Sequence, residues 1–180
     1  FFTLLAVLLV LGLFCPGAYA KKNVITIGFT GPLSGPAAQY GRDVVAGIEM
    51  GIQDLNAAGG INIDGKKYTF ELKTYDDGID PTAAVNNCRR LRSRDGAYVI
   101  WNPVFNTLAP MMQINQQKGQ EFLIMGYTST PNVDDMKNDY TIAIPPPFSS
   151  YVGAFTDYAW NEKGWRKGAM VCTLGAYGDV

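Results

Sequence analysis

The chain has 180 residues, of which 47% are hydrophobic and 17% are charged, and its formal net charge is -1. This balance is typical of a globular protein with one domain and the start of a second, and it lacks the basic surface that nucleic-acid binding requires. The sequence contains no histidine. Ser-His-Asp triads, Cys-His pairs and histidine-ligated metal sites are therefore excluded from this part of the protein.

The first twenty residues have the pattern of an export signal. Residues 1–14 are almost wholly apolar but short for a membrane span, and AYA at 18–20 is the small-x-small pattern that signal peptidase accepts. We therefore expect cleavage before Lys21, with a retained membrane anchor as the alternative. Lipid attachment at Cys15 is less favoured, because Phe14 precedes it where a lipoprotein cleavage site has a small residue.

Two cysteines, Cys88 and Cys172, remain after such a cleavage. Export leads to an oxidising compartment, so a disulfide between them is one interpretation. Free cysteines are commonly buried as small hydrophobic residues, and the sequence has no CxxC spacing. We favour two buried thiols.

Strand-like and helix-like segments alternate along the rest of the chain. Strands are predicted at residues 24–30, 68–75, 97–101, 121–125, 140–144 and 168–173. Helices are predicted through residues 44–55, with an end at 56–60, and at 81–94, 107–118 and 148–163. Repeated β-α-β units of this length predict an α/β fold with a doubly wound, mostly parallel sheet.

An acidic cluster precedes the second predicted helix. Asp76, Asp77 and Asp80 resemble a metal site, but their spacing lacks the alternation of a calcium loop. Asp80 followed by Pro81 is typical of a helix N-cap with proline at the first helical position. We therefore expect helix capping here and no metal.

Three polar loops follow predicted strands, at residues 31–40, 102–106 and 126–131. In a parallel sheet they lie at one edge, beyond the carboxyl ends of the strands, where such folds bind ligands. Hydroxyls, amides and aromatic rings in these loops suit a small zwitterion or carboxylate. No acid-base pair is visible, which favours binding over catalysis. Ordinary turn chemistry is the alternative for each of these residues taken singly.

The first loop, GPLSGPAAQYG at 31–41, resembles a phosphate-binding loop only in its glycine content. Its glycines match neither G-x-G-x-x-G nor G-x-x-x-x-G-K-[ST]. Two prolines also remove N–H donors that a phosphate cradle would use. A nucleotide is therefore not expected, and no cofactor is predicted.

Two longer motifs carry a family resemblance. ITIGFTGPLSGPAAQYGRDVVAGIEMGIQDLNAAGGI and, after it, YDDGIDPTAAVNNCRRL resemble the opening of the periplasmic solute-binding proteins of ABC transporters, of the branched-chain amino acid (leucine-binding) type. The resemblance extends over about residues 23–180. It implies a type I periplasmic binding fold of two hinged lobes that close on a small solute and deliver it to an ABC permease in the membrane.

The resemblance also implies an organisation and a location. Residues 1–20 would be a signal peptide, 23–144 the first lobe and 145–180 the incomplete start of the second, with the chain crossing between lobes near residues 144–148. The protein would be a periplasmic monomer and not an enzyme. A chain of this span alone is expected to bind a solute weakly or not at all.

Seven positions match ligand-contacting positions of the family. The match implies that Tyr40 forms an aromatic wall, that the loop of Phe105 and Asn106 contacts a carboxylate, and that an aromatic residue of the second lobe, Tyr177, closes over the ligand. The segment Tyr127, Thr128 and Ser129 would bind the ligand's carboxylate and amine.

Some positions depart from the family pattern. Phe105 replaces a small hydroxyl residue and Tyr127 replaces alanine, which predicts a pocket reshaped for something other than leucine. The cysteines of the family's first-lobe disulfide, expected near Ile79 and Val104, are absent. Two other classes stay open: the ligand-sensing ectodomain of a receptor with the same fold, and an exported α/β enzyme.

Overall fold

The structure of the protein is a computed structural model. It describes residues 23–129 and 137–171. Six strands form one sheet in the order β2-β3-β1-β4-β5-β6. The strands are β1 Val24–Gly31, β2 Ile61–Ile63, β3 Lys66–Asp76, β4 Val99–Asn102, β5 Leu123–Gly126 and β6 Thr141–Ala143. The helices are α1 Ala38–Ala57, α2 Pro81–Ser93, α3 Phe105–Met111 and α4 Phe148–Asp157, which continues into a π-helical turn over Tyr158–Glu162.

Parallel pairing dominates this sheet, as the alternating pattern predicts. Strand β1 pairs in parallel with both β3 and β4, β4 pairs with β5, and β5 pairs with β6. The exception is the antiparallel strand β2, which the sequence pattern did not predict because it is only three residues long. A tight turn at Asp64 and Gly65, both with positive φ, joins it to β3.

The end of the long helix α1 is hydrogen bonded to strand β3 of the sheet. The Asn56 side chain donates to the Phe70 carbonyl and accepts from the Phe70 N–H, each at 2.8 Å. These are the backbone groups that β2, which pairs only with residues 66–68, leaves unpaired. The Asn56 amide therefore takes the place of a neighbouring strand at this edge and holds the end of α1 against β3.

The main hydrophobic core lies between the sheet and helices α2 and α3. Strands β4 and β5 contribute one member each, and the members on the two helices fall at helical spacing. The members of this core include Leu91, Ile100, Phe105, Leu108, Met111, Phe122 and Ile124. Cys88 belongs to this core as a fully buried free thiol, as expected, whereas Cys172 lies outside the described residues.

The opposite face of the sheet carries only α1 among the described elements. A groove of about 610 Å³ runs between α1 and the side chains of Ile27, Phe70 and Trp101. The apolar positions of α1 at Val44 and Ile48 line it and are only half buried. The apolar side of α1 is thus incompletely covered by the described elements.

Two sequence predictions are wrong in their extent. The helix predicted at 107–118 is α3, which ends at Met111 and is followed by irregular turns. Pro110 inside it has no N–H to donate to the preceding turn, which weakens the helix at that point. The strand predicted at 168–173 is not formed over residues 168–171. Met170 and Val171 are 85% and 100% exposed, with no adjacent strand in the described part.

Helix α4 follows three prolines and has no buried residue. Tyr151, Val152 and Phe155 are all exposed apolar side chains on it. Across residues 23–129 and 137–171, none of the helices is both long and apolar enough to cross a membrane. The predicted export signal at residues 1–20 lies outside the described part.

Candidate functional site

The loops that follow β1, β4 and β5 meet at one edge of the sheet. These strands run in parallel, and Asn102 at the end of β4 is in register with Gly126 at the end of β5. The expectation that loops 31–40, 102–106 and 126–131 share one edge is therefore confirmed for their described residues.

A pocket of about 390 Å³ lies among these loops. Five of the predicted ligand-contacting residues line it: Tyr40, Phe105, Tyr127, Thr128 and Ser129. Asn106 does not line it, and Tyr177 lies outside the described residues. The remaining lining residues are Pro103, Val104, Pro145 and Phe148. The pocket thus combines the aliphatic hydroxyls of Thr128 and Ser129 with four aromatic rings, two of them phenols.

Tyr40 joins the loops as well as bordering the pocket. It lies in the first turn of α1, and its hydroxyl, which has one hydrogen to donate, lies 3.2 Å from the Pro103 carbonyl oxygen and 3.3 Å from the Tyr127 carbonyl oxygen. These two carbonyls belong to the loops after β4 and β5. One phenol therefore connects all three loops, a structural role that the sequence did not predict for Tyr40.

Asn102 organises the same loops from below. Its side chain is fully buried, donates to the Thr30 carbonyl at 3.0 Å and to Thr107 Oγ1 at 2.9 Å, and accepts from the Val104 N–H at 3.0 Å. Its backbone carbonyl accepts from the Tyr127 N–H at 2.9 Å. Because every polar atom of the Asn102 amide is hydrogen bonded, the segments that carry the pocket-lining loops are held in fixed positions relative to one another.

The acidic cluster holds the glycine-rich first loop. Asp76 accepts from the Leu33 N–H at 2.8 Å, and the hydrogen bond from the Ser34 hydroxyl is the main cause that lowers the pKa of Asp76. Asp80 accepts from the Ala83 N–H at 2.6 Å as the N-cap of α2, which confirms the predicted cap. In the described ranges, no cluster of three or more acidic or cysteine side chains could hold a metal ion.

Asp77 is the buried member of the cluster. Its carboxylate accepts from the Thr30 hydroxyl and from the Ile79 N–H, each at 3.0 Å. Burial is the largest cause that raises the pKa of Asp77. The Thr30 hydroxyl in turn accepts from the Asn87 side chain, so the end of β1 is tied to both β3 and α2.

Close packing explains a glycine of the first loop. A Cβ added at Gly41 would lie 1.8 Å from the Pro32 carbonyl oxygen, a distance that no side chain tolerates. Gly35 has φ +71°, in the left-handed region that favours glycine. The loop GPLSGPAAQYG therefore folds back closely on the start of α1 and places Tyr40 at the pocket.

A contact that the sequence did not predict joins the pocket to α4. Ser129 Oγ hydrogen bonds to the Tyr151 hydroxyl, which also donates to the Pro146 carbonyl at 2.5 Å. Phe148 packs edge-on against the Tyr151 ring at 6.2 Å between centroids. Phe148 and Tyr151 thus form a wall at the side of the pocket. The only sequence signal for this wall is Phe148, an aromatic residue directly after three prolines.

The pocket can bind a solute, because it offers hydroxyls beside aromatic surfaces at a sheet edge. The larger groove along α1 is lined mainly by aliphatic and aromatic side chains, with Asp43 as its charged member. An apolar wall beside a carboxylate does not suit an anionic solute. We therefore place the candidate site in the smaller pocket, although Tyr40 and Tyr127 border both spaces.

Comparison with known proteins gives a consistent set of relatives. Residues 24–179 match the family model described as periplasmic binding protein. The Leu/Ile/Val-binding protein of Escherichia coli (strain K12) is 34% identical over 100 residues, which are 56% of this chain and 26% of that protein. The matched region thus spans about a quarter of that relative's length.

Solved structures agree in fold. The branched-chain amino acid transporter substrate-binding protein of Streptococcus pneumoniae, in complex with isoleucine, has a TM-score of 0.64 at 22% identity, over 78% of this chain and 39% of that one. A solute-binding protein of an ABC transporter from Rhodopseudomonas palustris BisB5, in complex with 3,4-dihydroxybenzoic acid, has a TM-score of 0.66 at 16% identity, over 78% and 37%.

Proposed function

Because the chain belongs to the periplasmic binding protein family and has its type I fold, we propose that it is part of the extracytoplasmic substrate-binding component of an ABC importer. The full protein would bind a small amino acid or a related carboxylate or amide solute between two lobes and deliver it to a membrane permease. We propose a monomer in the periplasm that performs no catalysis. Residues 23–144 would form the first lobe and residues from 145 onward the start of the second.

The observation that carries this proposal is the shared pocket at the carboxyl edge of the sheet. Side chains from three separate loops border it, and a fourth segment, Pro145 and Phe148, comes from the region where we place the crossing between lobes. A site bordered by both lobes is what a protein that closes on its ligand requires.

Candidate solutes follow from the lining. Thr128 and Ser129 supply hydroxyls for polar ends, and the rings of Tyr40, Phe105, Tyr127 and Phe148 supply flat apolar surface. Isoleucine and 3,4-dihydroxybenzoic acid, bound by the two solved relatives, represent an aliphatic amino acid and an aromatic carboxylate. Both classes belong in a ligand screen.

The test is a thermal-shift screen of the full-length protein followed by isothermal titration calorimetry. The panel contains L-leucine, L-isoleucine, L-phenylalanine, 3,4-dihydroxybenzoate, small amides and urea. We expect at least one solute to stabilise the protein. The absence of a shift with every solute of the panel would contradict the proposal.

Two tyrosine variants locate the binding. Tyr127→Ala removes a ring from the pocket, and we expect it to change the affinity for the identified solute about tenfold, as loss of an aromatic contact does. Tyr98→Ala is the matched control, because Tyr98 is also exposed but precedes β4, at the opposite edge of the sheet. An equal effect of both variants in calorimetry would argue against this pocket.

A further inference from the structure

Tyr151 lies on α4, outside the loops that the family resemblance marks, yet it contacts the pocket through Ser129. We propose that Tyr151 is a positioning residue that fixes the direction of the Ser129 hydroxyl, so that this hydroxyl accepts a hydrogen bond from the bound solute. The inference rests on the function proposed above.

Counting protons gives the direction of the hydrogen bonds. A tyrosine hydroxyl carries one hydrogen, and a proline carbonyl can only accept. The hydrogen of Tyr151 is directed to the Pro146 carbonyl. The contact between Ser129 and Tyr151 therefore requires Ser129 to donate, which uses the single hydrogen of the serine hydroxyl.

The partners of Tyr151 hold it in this role. Its ring packs edge-on against Phe148, three residues earlier on α4 and itself part of the pocket lining. The accepting carbonyl at Pro146 lies between two further prolines, whose rings fix the backbone φ angles. The direction of the Ser129 hydroxyl is thus set from the segment that leads into α4.

This arrangement has a chemical consequence for the solute. With its hydrogen directed away, Ser129 offers only lone pairs to the pocket that it lines. Lone pairs repel a carboxylate oxygen and accept from an ammonium, amide or hydroxyl group. The subsite at Ser129 therefore selects a hydrogen-donating group, and an amino acid is preferred over the same acid without its amine.

The experiment measures that preference by calorimetry on the full-length protein. The probes are L-leucine with 4-methylpentanoate, and L-phenylalanine with 3-phenylpropionate, each pair differing only in the amine. Tyr151→Phe keeps the ring and frees the Ser129 hydroxyl to turn toward the pocket. We expect it to reduce the preference for the amino acid about three- to tenfold, the loss of one hydrogen bond's selectivity.

Two controls separate positioning from a general structural effect. Tyr158→Phe removes a hydroxyl of similar exposure, 41% against 43% for Tyr151, from a ring that packs under Lys163, and it should leave the preference unchanged. In a Ser129→Ala background, Tyr151→Phe should no longer alter the preference, because its effect passes through Ser129.

Each outcome decides the inference. The inference is overturned if Tyr151→Phe leaves the ratio of the two affinities within a pair unchanged, which includes weakening both members equally. It is also overturned if Tyr151→Phe still alters that ratio in the Ser129→Ala background. It is also overturned if the unmodified protein binds the amine-free acids as tightly as the amino acids, a result that leaves the proposed function intact. Failure of the unmodified protein to bind any probe or panel solute overturns the proposed function and this inference together.

Discussion

At the scale of single residues, the candidate site depends on two buried polar side chains, Asn102 and Asp77, whose polar atoms all have hydrogen-bond partners, whereas the buried Asn106 Oδ1 has none. Asn102 links the end of β1, the start of α3 and the loop after β5 through one amide and its backbone carbonyl. Asp77 does the same for β1 and the turn before α2. A buried polar group costs free energy when a partner is lost, so these residues can be tested by near-isosteric substitution.

Asn102→Asp should destabilise the protein strongly. The carboxylate cannot donate, and it would place an oxygen against the Thr30 carbonyl, which the Asn102 amide now contacts at 3.0 Å. We expect a loss of about 3 kcal/mol in the free energy of urea unfolding. Asn62→Asp is the control on exposed strand β2, with an expected change within about 0.5 kcal/mol. Equal effects of the two variants would contradict the claim that the hydrogen bonds of the Asn102 amide stabilise the protein.

Asp77→Asn should change how stability depends on pH. Burial raises the pKa of Asp77 above its ordinary value of 3.8, so the folded protein holds this proton more tightly than the unfolded chain. Stability from this group is therefore present below pH 3.8 and is lost as the pH rises through the folded-state pKa. The neutral amide avoids that loss, and the variant should gain stability relative to the unmodified protein between pH 3.8 and 7.

Urea unfolding at several pH values measures this difference. Asp76→Asn serves as the control of opposite sign, because hydrogen bonds led by that of Ser34 lower the pKa of Asp76. Its stabilising contribution is present above pH 3.8 and is lost as the pH falls through its folded-state pKa. If the Asp77 difference stays constant across the range, the buried carboxylate does not titrate as described.

At the scale of elements, the join between β1 and α1 determines where the pocket begins. The chain folds back so closely that Gly41, in the first turn of α1, touches the Pro32 carbonyl. This turn brings Tyr40 to the loops after β4 and β5. The glycine-rich loop thus positions an aromatic residue.

Gly41→Ala should therefore destabilise the protein by about 3 kcal/mol, because the new methyl group forces the loop away from the helix. Gly47→Ala, two turns further along α1 with nothing within 4 Å of the added atom, should instead stabilise by about 0.5–1 kcal/mol through helix propensity. Thermal unfolding of the two variants gives the comparison. Similar melting temperatures would refute the close approach.

Most of the elements could be predicted from sequence, because their apolar periodicity is regular and their ends carry clear signals, such as Asp80 with Pro81. The limits of α3 could not, since Pro110 only weakens a helix and neighbouring packing decides where it ends. Strand β2 is too short to show a pattern. The wall formed by Phe148 and Tyr151 depends on how the chain turns after three prolines, which no local pattern specifies.

At the scale of the whole molecule, the two faces of the sheet are covered unequally. Helices α2 and α3 bury one face, while α1 leaves a groove of about 610 Å³ on the other and α4 has no buried residue. The α/β class, the parallel sheet and the family are confirmed. The identity of the solute stays a prediction.

A crystal structure of the full-length protein with the solute that the screen identifies would show directly where the solute binds. We expect electron density for the solute in the pocket bordered by Tyr40, Tyr127, Thr128 and Ser129, with Phe148 beside it. Density in the groove along α1, or at a place that none of these residues touches, would contradict it.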